Sequence, residues 1–169
     1  MRVRGYVALI AAVAAERVVE LVVSNRNLEW SKANGGREFG AEHYPVMVAL
    51  HTGLLAGAVL EARKRRFRPG LGWPMLGVVL SAQGLRWWCI STLGRQWNTR
   101  VVVVPGAARV VAGPYRAMPH PNYVAVVTEG AALPLVGGAW ITALVFSVAN
   151  AALLRTRIRV ENDALQSLT

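Results

Sequence analysis

Four apolar runs, at residues 6–23, 46–60, 71–90 and 123–154, constrain this chain more than any other feature. The first three suit one helix apiece. The last does not, because residues 123–154 as a single helix would be about 48 Å long at 1.5 Å per residue, against a hydrocarbon core of about 30 Å. It is better broken at Pro134-Leu-Val-Gly-Gly138, with Pro121 in the first turn of one helix and Ala139 starting the return. The runs therefore predict helices over about 5–23, 45–61, 71–92, 121–136 and 139–160, in one domain spanning 1–169. Composition points the same way. Hydrophobic residues make up 54% of the chain and charged residues 17%, where a soluble domain carries about 25%. The expected fold class is an all-α integral membrane protein of about five transmembrane helices ending in a helical hairpin.

The first run follows Met1-Arg-Val-Arg4 and could pass for a signal peptide, but Glu16, Arg17 and Glu20 interrupt it where a cleavable segment is uniformly apolar. It reads as a mature helix. Glu16 and Glu20 share one face, which therefore meets other helices or water. Residues 24–44 read as a polar interfacial segment. The segment 63–68 places five cations in six positions, an ordinary topology signal under the positive-inside rule. Residues 91–122 form the longest polar loop, with 100–105 and 108–111 extended and a turn at Pro105-Gly106. Five spans put the N-terminus and 63–68 on one membrane face, and 24–44, 91–122 and 155–169 on the other. Both faces are basic, so charge alone does not orient the chain.

Several function classes are excluded. No Gly-x-Gly-x-x-Gly fingerprint, Walker loop, His-Glu-x-x-His or Gly-x-Ser-x-Gly occurs. The net charge of +10 does not mark a nucleic-acid binder, because the cations flank spans instead of forming one stripe with exposed aromatics. Cys89 stands alone, so there is no internal disulfide. The three histidines lie on distant segments without ligand spacing, so no metal site is expected.

Two polar clusters remain. Gly113-Pro-Tyr-Arg-Ala-Met-Pro-His-Pro-Asn-Tyr123 packs turn formers, a histidine and two tyrosines before an apolar helix, whose N-terminal amides could receive a carboxylate. Its bland reading is a rigid, Pro-rich interfacial entry. The second is Arg155-Thr-Arg-Ile-Arg-Val-Glu-Asn-Asp163, where Arg157 and Glu161 share a helix face. Its bland reading is a solvated tail. A hairpin between the clusters brings both to one membrane face, which makes a shared site plausible.

At these residues the chain resembles the isoprenylcysteine carboxyl methyltransferases and their bacterial relatives. The shared pattern is Gly113-Pro-Tyr115, His120-Pro-Asn-Tyr123 and Arg157-Ile-Arg-Val-Glu161 followed by Leu165, over roughly residues 94–165. Pro119 replaces an arginine of the family pattern, and Asn162 replaces a second glutamate. The N-terminal half, with Ser24-Asn-Arg-Asn27 and His43-Tyr-Pro45, resembles a branch found with type III polyketide synthases that O-methylates alkylpyrones. The resemblance implies an S-adenosylmethionine-dependent O-methyltransferase whose polar loop and hairpin ends bind the cofactor. His120, Asn122 and Tyr123 would hold the donor, Tyr115 would shape the pocket, and Glu161 would contact the donor or order the site. Arg157 would orient the negative oxygen of a lipophilic acceptor, a carboxylate or an enol.

The chemistry agrees with that assignment. Transfer from a sulfonium to an oxyanion turns two ions into neutral products, so a dry, low-dielectric pocket favours it. An acceptor already ionised at pH 7 needs no strong base, and arginine suits a carboxylate. Glu129 lies inside the fourth helix and either contacts the acceptor or pairs with Arg86 or Arg17. Arg17 is likewise a candidate at the substrate, and His43 with Glu42 could act as a base on a weaker acid. His51 reads as a packing residue. Two competing readings are an NADPH-dependent reductase of the sterol-reductase type, for which the chain is short, and a non-enzymatic membrane protein, which leaves the paired motifs without a purpose.

Overall fold

The computed structural model describes Met1 and residues 3–167, the side chain of Ser167 excepted. Its five long helices are α1 (Val3–Ala33), α2 (His43–Ala62), α3 (Pro69–Leu93), α4 (Pro121–Val136) and α5 (Trp140–Ser167). The first runs ten residues past the expected end. Residues 24–33 are polar, but Arg26, Leu28, Glu29 and Lys32 are good helix formers, and polarity ends a membrane span without ending a helix. The helix stops where Gly35 takes φ +77° and the Gly36 amide closes back on the Ser31 carbonyl at 2.7 Å.

The all-α expectation also needs correcting. Strand β1 (Arg37–Phe39) pairs antiparallel with β2 (Val101–Val103), Arg37 opposite Val103. Three-residue strands carry no alternation to read. What holds them is the ladder, aided by Arg100, which donates to Glu38 at 2.8 Å and lies 3.9 Å from the Tyr44 ring centroid.

Small residues let the helices approach closely. A Cβ on Gly130 of α4 would fall 2.0 Å from the Phe146 ring of α5, and one on Gly57 of α2 would lie 3.1 Å from Thr142. The largest buried cluster joins Tyr6, Ile10 and Val13 to Ala58, Val79 and Leu133, and the Tyr6 hydroxyl donates to the Leu133 carbonyl at 3.0 Å. At that end Glu61 accepts the Ile141 and Thr142 amides, capping α5.

The outer surface is oily. Val18, Leu80, Leu144, Val145 and Val148 are each at least 58% exposed, a pattern that fits lipid better than water. Among the described residues, two helices, His43–Ala62 and Trp140–Gln166, are long and apolar enough to cross a membrane, with mean hydropathy 1.5 and 1.3. The other three fall short for local reasons. At 16 residues, α4 is about 24 Å long, while α1 carries Glu16, Arg17 and Glu20, and α3 carries Gln83 and Arg86.

Those charges are joined in the interior. Arg17 pairs with Glu20 and, at 2.7 Å, with Glu129. Arg86 donates to Glu129 at 2.5 Å, and its Nε lies 3.5 Å from Glu20. Gln83 and Trp87 both donate to Glu16. Glu20, Arg86 and Glu129 are all buried. One network thus fastens α1, α3 and α4 together. His51 packs edge-on to Phe146, with centroids 5.2 Å apart.

Candidate active site

The three-residue connection 137–139 returns the chain, so that the first turn of α4 meets the last turns of α5. Pro121 starts α4 with its backbone φ already helical. The Tyr123 hydroxyl donates to Glu161 at 2.5 Å, while His120 places Nδ1 3.6 Å from Glu161 and Nε2 3.2 Å from Asn162. Asn162, which stands where the family pattern has a glutamate, therefore partners the histidine directly. Pairing with the Glu161 carboxylate raises the pKa of His120 above its ordinary value, against the opposing effect of burial. The site thus pairs a histidine with an acid in a way that favours the histidine's cationic form.

Arg157 lies one turn before Glu161 on the same face and is buried. Its Nη2 donates to the Thr99 carbonyl at 2.8 Å, its Nη1 lies 3.0 Å from the Met47 sulfur, and it also reaches the Tyr123 hydroxyl. The Arg157 Nε and the Asn122 Oδ1 are buried without a hydrogen-bond partner. Native proteins rarely leave such groups unmatched, so the free Nε donor of Arg157 within the cluster fits a polar ligand.

Tyr115 occupies a single 3-10 turn at Gly113–Arg116. Gly113 has φ +55°, and a Cβ there would meet Thr92 Oγ1 at 2.6 Å, so glycine is what lets the turn lie on α3. The phenol hydrogen-bonds with Cys89 and lies within electrostatic reach of Glu161 and Tyr123. Burial first, and then Cys89, push its pKa up, so it is neutral at any physiological pH.

Beside the cluster, α4 and α5 leave an open groove of about 320 Å³, walled by Val124, Val127, Thr128, Leu154 and Ile158, with His120 and Tyr123 also lining it. That volume is within the range of small-molecule sites, about 300–1,000 Å³. An alkyl chain suits the walls, and an ion suits the cluster beside them.

The structure therefore gathers His120, Tyr123, Arg157 and Glu161, with Tyr115 alongside; Asn122 shares the first turn of α4 with Tyr123, its Oδ1 making no hydrogen bond to them. Arg17 and Glu129 lie apart from this cluster. Glu129 lies six residues beyond Tyr123, about 9 Å along α4, and with Arg17 belongs to the interior network. His43 begins α2 with its Nε2 3.7 Å from Glu42; a Cβ on Gly40 would meet both its ring and Val160, the neighbour of Glu161, and His43 lies one turn before Met47, which touches Arg157. Sequence reasoning missed Met47 and Thr99, the two groups that hold Arg157. No local pattern marks either, since each is more than fifty residues away in the chain. Among the described residues, no group of His, Cys, Asp or Glu side chains is arranged to hold a metal.

Comparison with known proteins bears on the same region. Residues 75–167 match the isoprenylcysteine carboxyl methyltransferase (ICMT) family, a stretch containing every member of the cluster. The uncharacterized protein YpbQ of Bacillus subtilis (strain 168) is 39% identical over 159 residues, covering 94% of this chain and 95% of its own length. No solved structure matches. Members of the family use S-adenosylmethionine as methyl donor. The histidine, tyrosine, arginine and glutamate that meet at the ends of α4 and α5 thus lie within the matched segment, and the chain belongs to the isoprenylcysteine carboxyl methyltransferase family.

Proposed function

We propose that this chain is an S-adenosylmethionine-dependent O-methyltransferase acting at the membrane interface on the acidic oxygen of a lipophilic acceptor. The observation that carries this reading is the cluster His120–Tyr123–Arg157–Glu161 beside an apolar groove. The donor's amino-acid end, ribose and adenine need both hydrogen-bond donors and acceptors. Here Glu161 offers an acceptor and Arg157 a donor whose Nε is left unpaired, while both ring nitrogens of His120 are engaged by Glu161 and Asn162 and hold that acceptor in place. When bound, the donor supplies an electrophilic methyl group on a positively charged sulfur.

The chain's own residues do the remaining work. Glu161, fixed by Tyr123 and His120, supplies a carboxylate for the donor's cationic or hydroxyl groups. Arg157 is always charged and presents its free Nε–H to the acceptor's oxygen. Val124, Val127, Leu154 and Ile158 give the acceptor's tail an apolar wall, and the surrounding bilayer, in this reading, lowers the dielectric at which the two charges meet. An isoprenylcysteine-like carboxylate or an alkylpyrone enol fits these demands, the latter as the product of a type III polyketide synthase. The five helices all span the bilayer in this reading, because the charges of α1, α3 and α4 satisfy one another within it. The site faces the cytoplasm of a bacterial cell membrane, where the donor is made.

Calorimetry of the purified protein in detergent tests the reading, with S-adenosylmethionine expected to bind and NADPH not. Incubating extracted lipids with labelled methyl donor then identifies the acceptor. Glu161→Gln and Arg157→Ala should both impair methyl transfer while the fold is retained. Absence of donor binding, or wild-type turnover by either variant, refutes the proposal.

A further inference from the structure

The polar end of α1 lies outside the family match, which begins at residue 75, yet it is connected to Arg157. Ser24 is 1% exposed. Its hydroxyl donates to Asn98 Oδ1 at 2.8 Å, accepts the Thr99 amide at 3.0 Å, and lies 2.8 Å from the Thr99 hydroxyl. A serine has one proton to give, so with that proton on Asn98 the Thr99 hydroxyl must be the donor to Ser24. One oxygen thus fixes Thr99 at both its amide and its side chain. Three residues on, Asn27 donates to the carbonyls of Gly94 and Trp97, at 3.0 and 2.6 Å, and anchors the turn that leads into the same segment. The remaining polar group of Thr99, its carbonyl, receives Arg157 Nη2 at 2.8 Å.

We propose that Ser24 is a positioning residue for the methyl-transfer site, acting through the Thr99 carbonyl to set the orientation of Arg157. The inference rests on reading Arg157 as the group that meets the acceptor's oxygen. An arginine has many rotamers, and its Nε–H points at one place only while its outer nitrogens are held. Met47 supplies a soft contact on one of them, and the Thr99 carbonyl supplies the strong one. With the Ser24 hydroxyl gone, the amide and the hydroxyl of Thr99 lose their partner at once, while Asn98 keeps the Arg100 amide and the Ser24 carbonyl. The carbonyl is then free to swing, and Arg157 with it. A purely structural role would fasten α1 to the 94–99 turn with no effect on the guanidinium.

The test uses the full chain with arginine labelled by nitrogen-15. The Nε–H signal absent from Arg157→Lys identifies Arg157. Wild type and Ser24→Thr should show this signal sharp and slow to exchange with water, and Ser24→Ala should broaden it or speed its exchange. N-acetyl-S-farnesylcysteine and a long-chain alkylpyrone serve as acceptor probes. For whichever is methylated, Ser24→Ala should raise the acceptor KM about tenfold, the loss expected for about one misplaced hydrogen bond. Donor affinity by calorimetry should be unchanged, and Ser24→Thr should restore the KM. If Ser24→Ala does not fold, Ser24→Cys, of similar size and with a weak S–H donor, is read in the same way. An Arg157 signal identical in wild type and the folded variant overturns the proposal, as does a variant that loses donor and acceptor binding alike. If wild type binds no methyl donor, the methyl-transfer reading fails, while the Arg157 signal still decides whether Ser24 holds that side chain.

Discussion

Glu129 accepts both interior arginines, so replacing it by glutamine is the sharpest perturbation of the network. Arg17, Arg86, Glu20 and Glu129 together are neutral, and Glu129→Gln leaves them with one uncompensated positive charge. Breaking a buried ion pair by removing one partner costs about 3–5 kcal/mol. In a chain of this length that corresponds to a fall in Tm of about 6–20 °C. Thermal unfolding in detergent, followed by circular dichroism, reads the loss directly. The double variant Arg86→Met with Glu129→Leu removes the pair together and should recover most of the loss, because apolar residues of similar size replace a buried pair at little cost. The reasoning is refuted if Glu129→Gln melts within a degree of wild type. It is also refuted if that variant keeps its Tm but needs more acceptor to reach the same turnover, since Glu129 would then be an acceptor contact and not a clasp.

Three further outcomes follow from geometry already described. Gly130→Ala drives a methyl group into the Phe146 ring and should cost about 1–3 kcal/mol, with Phe146→Leu in the same chain relieving it in the same unfolding assay. The pairing of His120 with Glu161 raises the histidine's pKa, so the stability it contributes is complete below the ordinary value of about 6.5 and is lost as pH rises through the raised one; unfolding measured across pH should show that alkaline limb in wild type and not in His120→Gln. Val127→Trp puts an indole into the groove of about 320 Å³ and should raise the acceptor KM with donor affinity unchanged, whereas an unchanged KM would show that the tail lies elsewhere.

How far the sequence disclosed this arrangement depends on the distance over which each feature is encoded. His120, Tyr123, Arg157 and Glu161 lie in short motifs at the two ends of one apolar stretch, and a turn at Gly137-Gly138 is enough to bring them together. The partners of Glu129 were legible as a choice between Arg86 and Arg17, because charges within apolar runs have few alternatives. The structure uses both. The fastening of Thr99 by Ser24 was not legible, since a serine in a polar stretch looks like any other and its partner lies 75 residues away. The strand Arg37–Phe39 was hidden because three residues have no periodicity. The far end of α1 was misplaced because apolar character was taken to mark the helix, when it marks only the part suited to lipid.

The interior network also bears on how such a chain would enter a bilayer. Arg17 and Glu20 are three residues apart on one helix, so α1 brings most of its own neutralisation with it. Arg86 and Glu129 do not, because each belongs to a different helix and alone would present a bare charge to hydrocarbon, at about 2.5–3.5 kcal/mol on the insertion scale. On the five-span reading α3 is therefore a poor passenger until α4 emerges, and the two would leave the insertion machinery as a pair. A variant lacking only one of the two charges should therefore also reach the membrane in lower abundance, a loss separate from the lower Tm of the protein that is recovered.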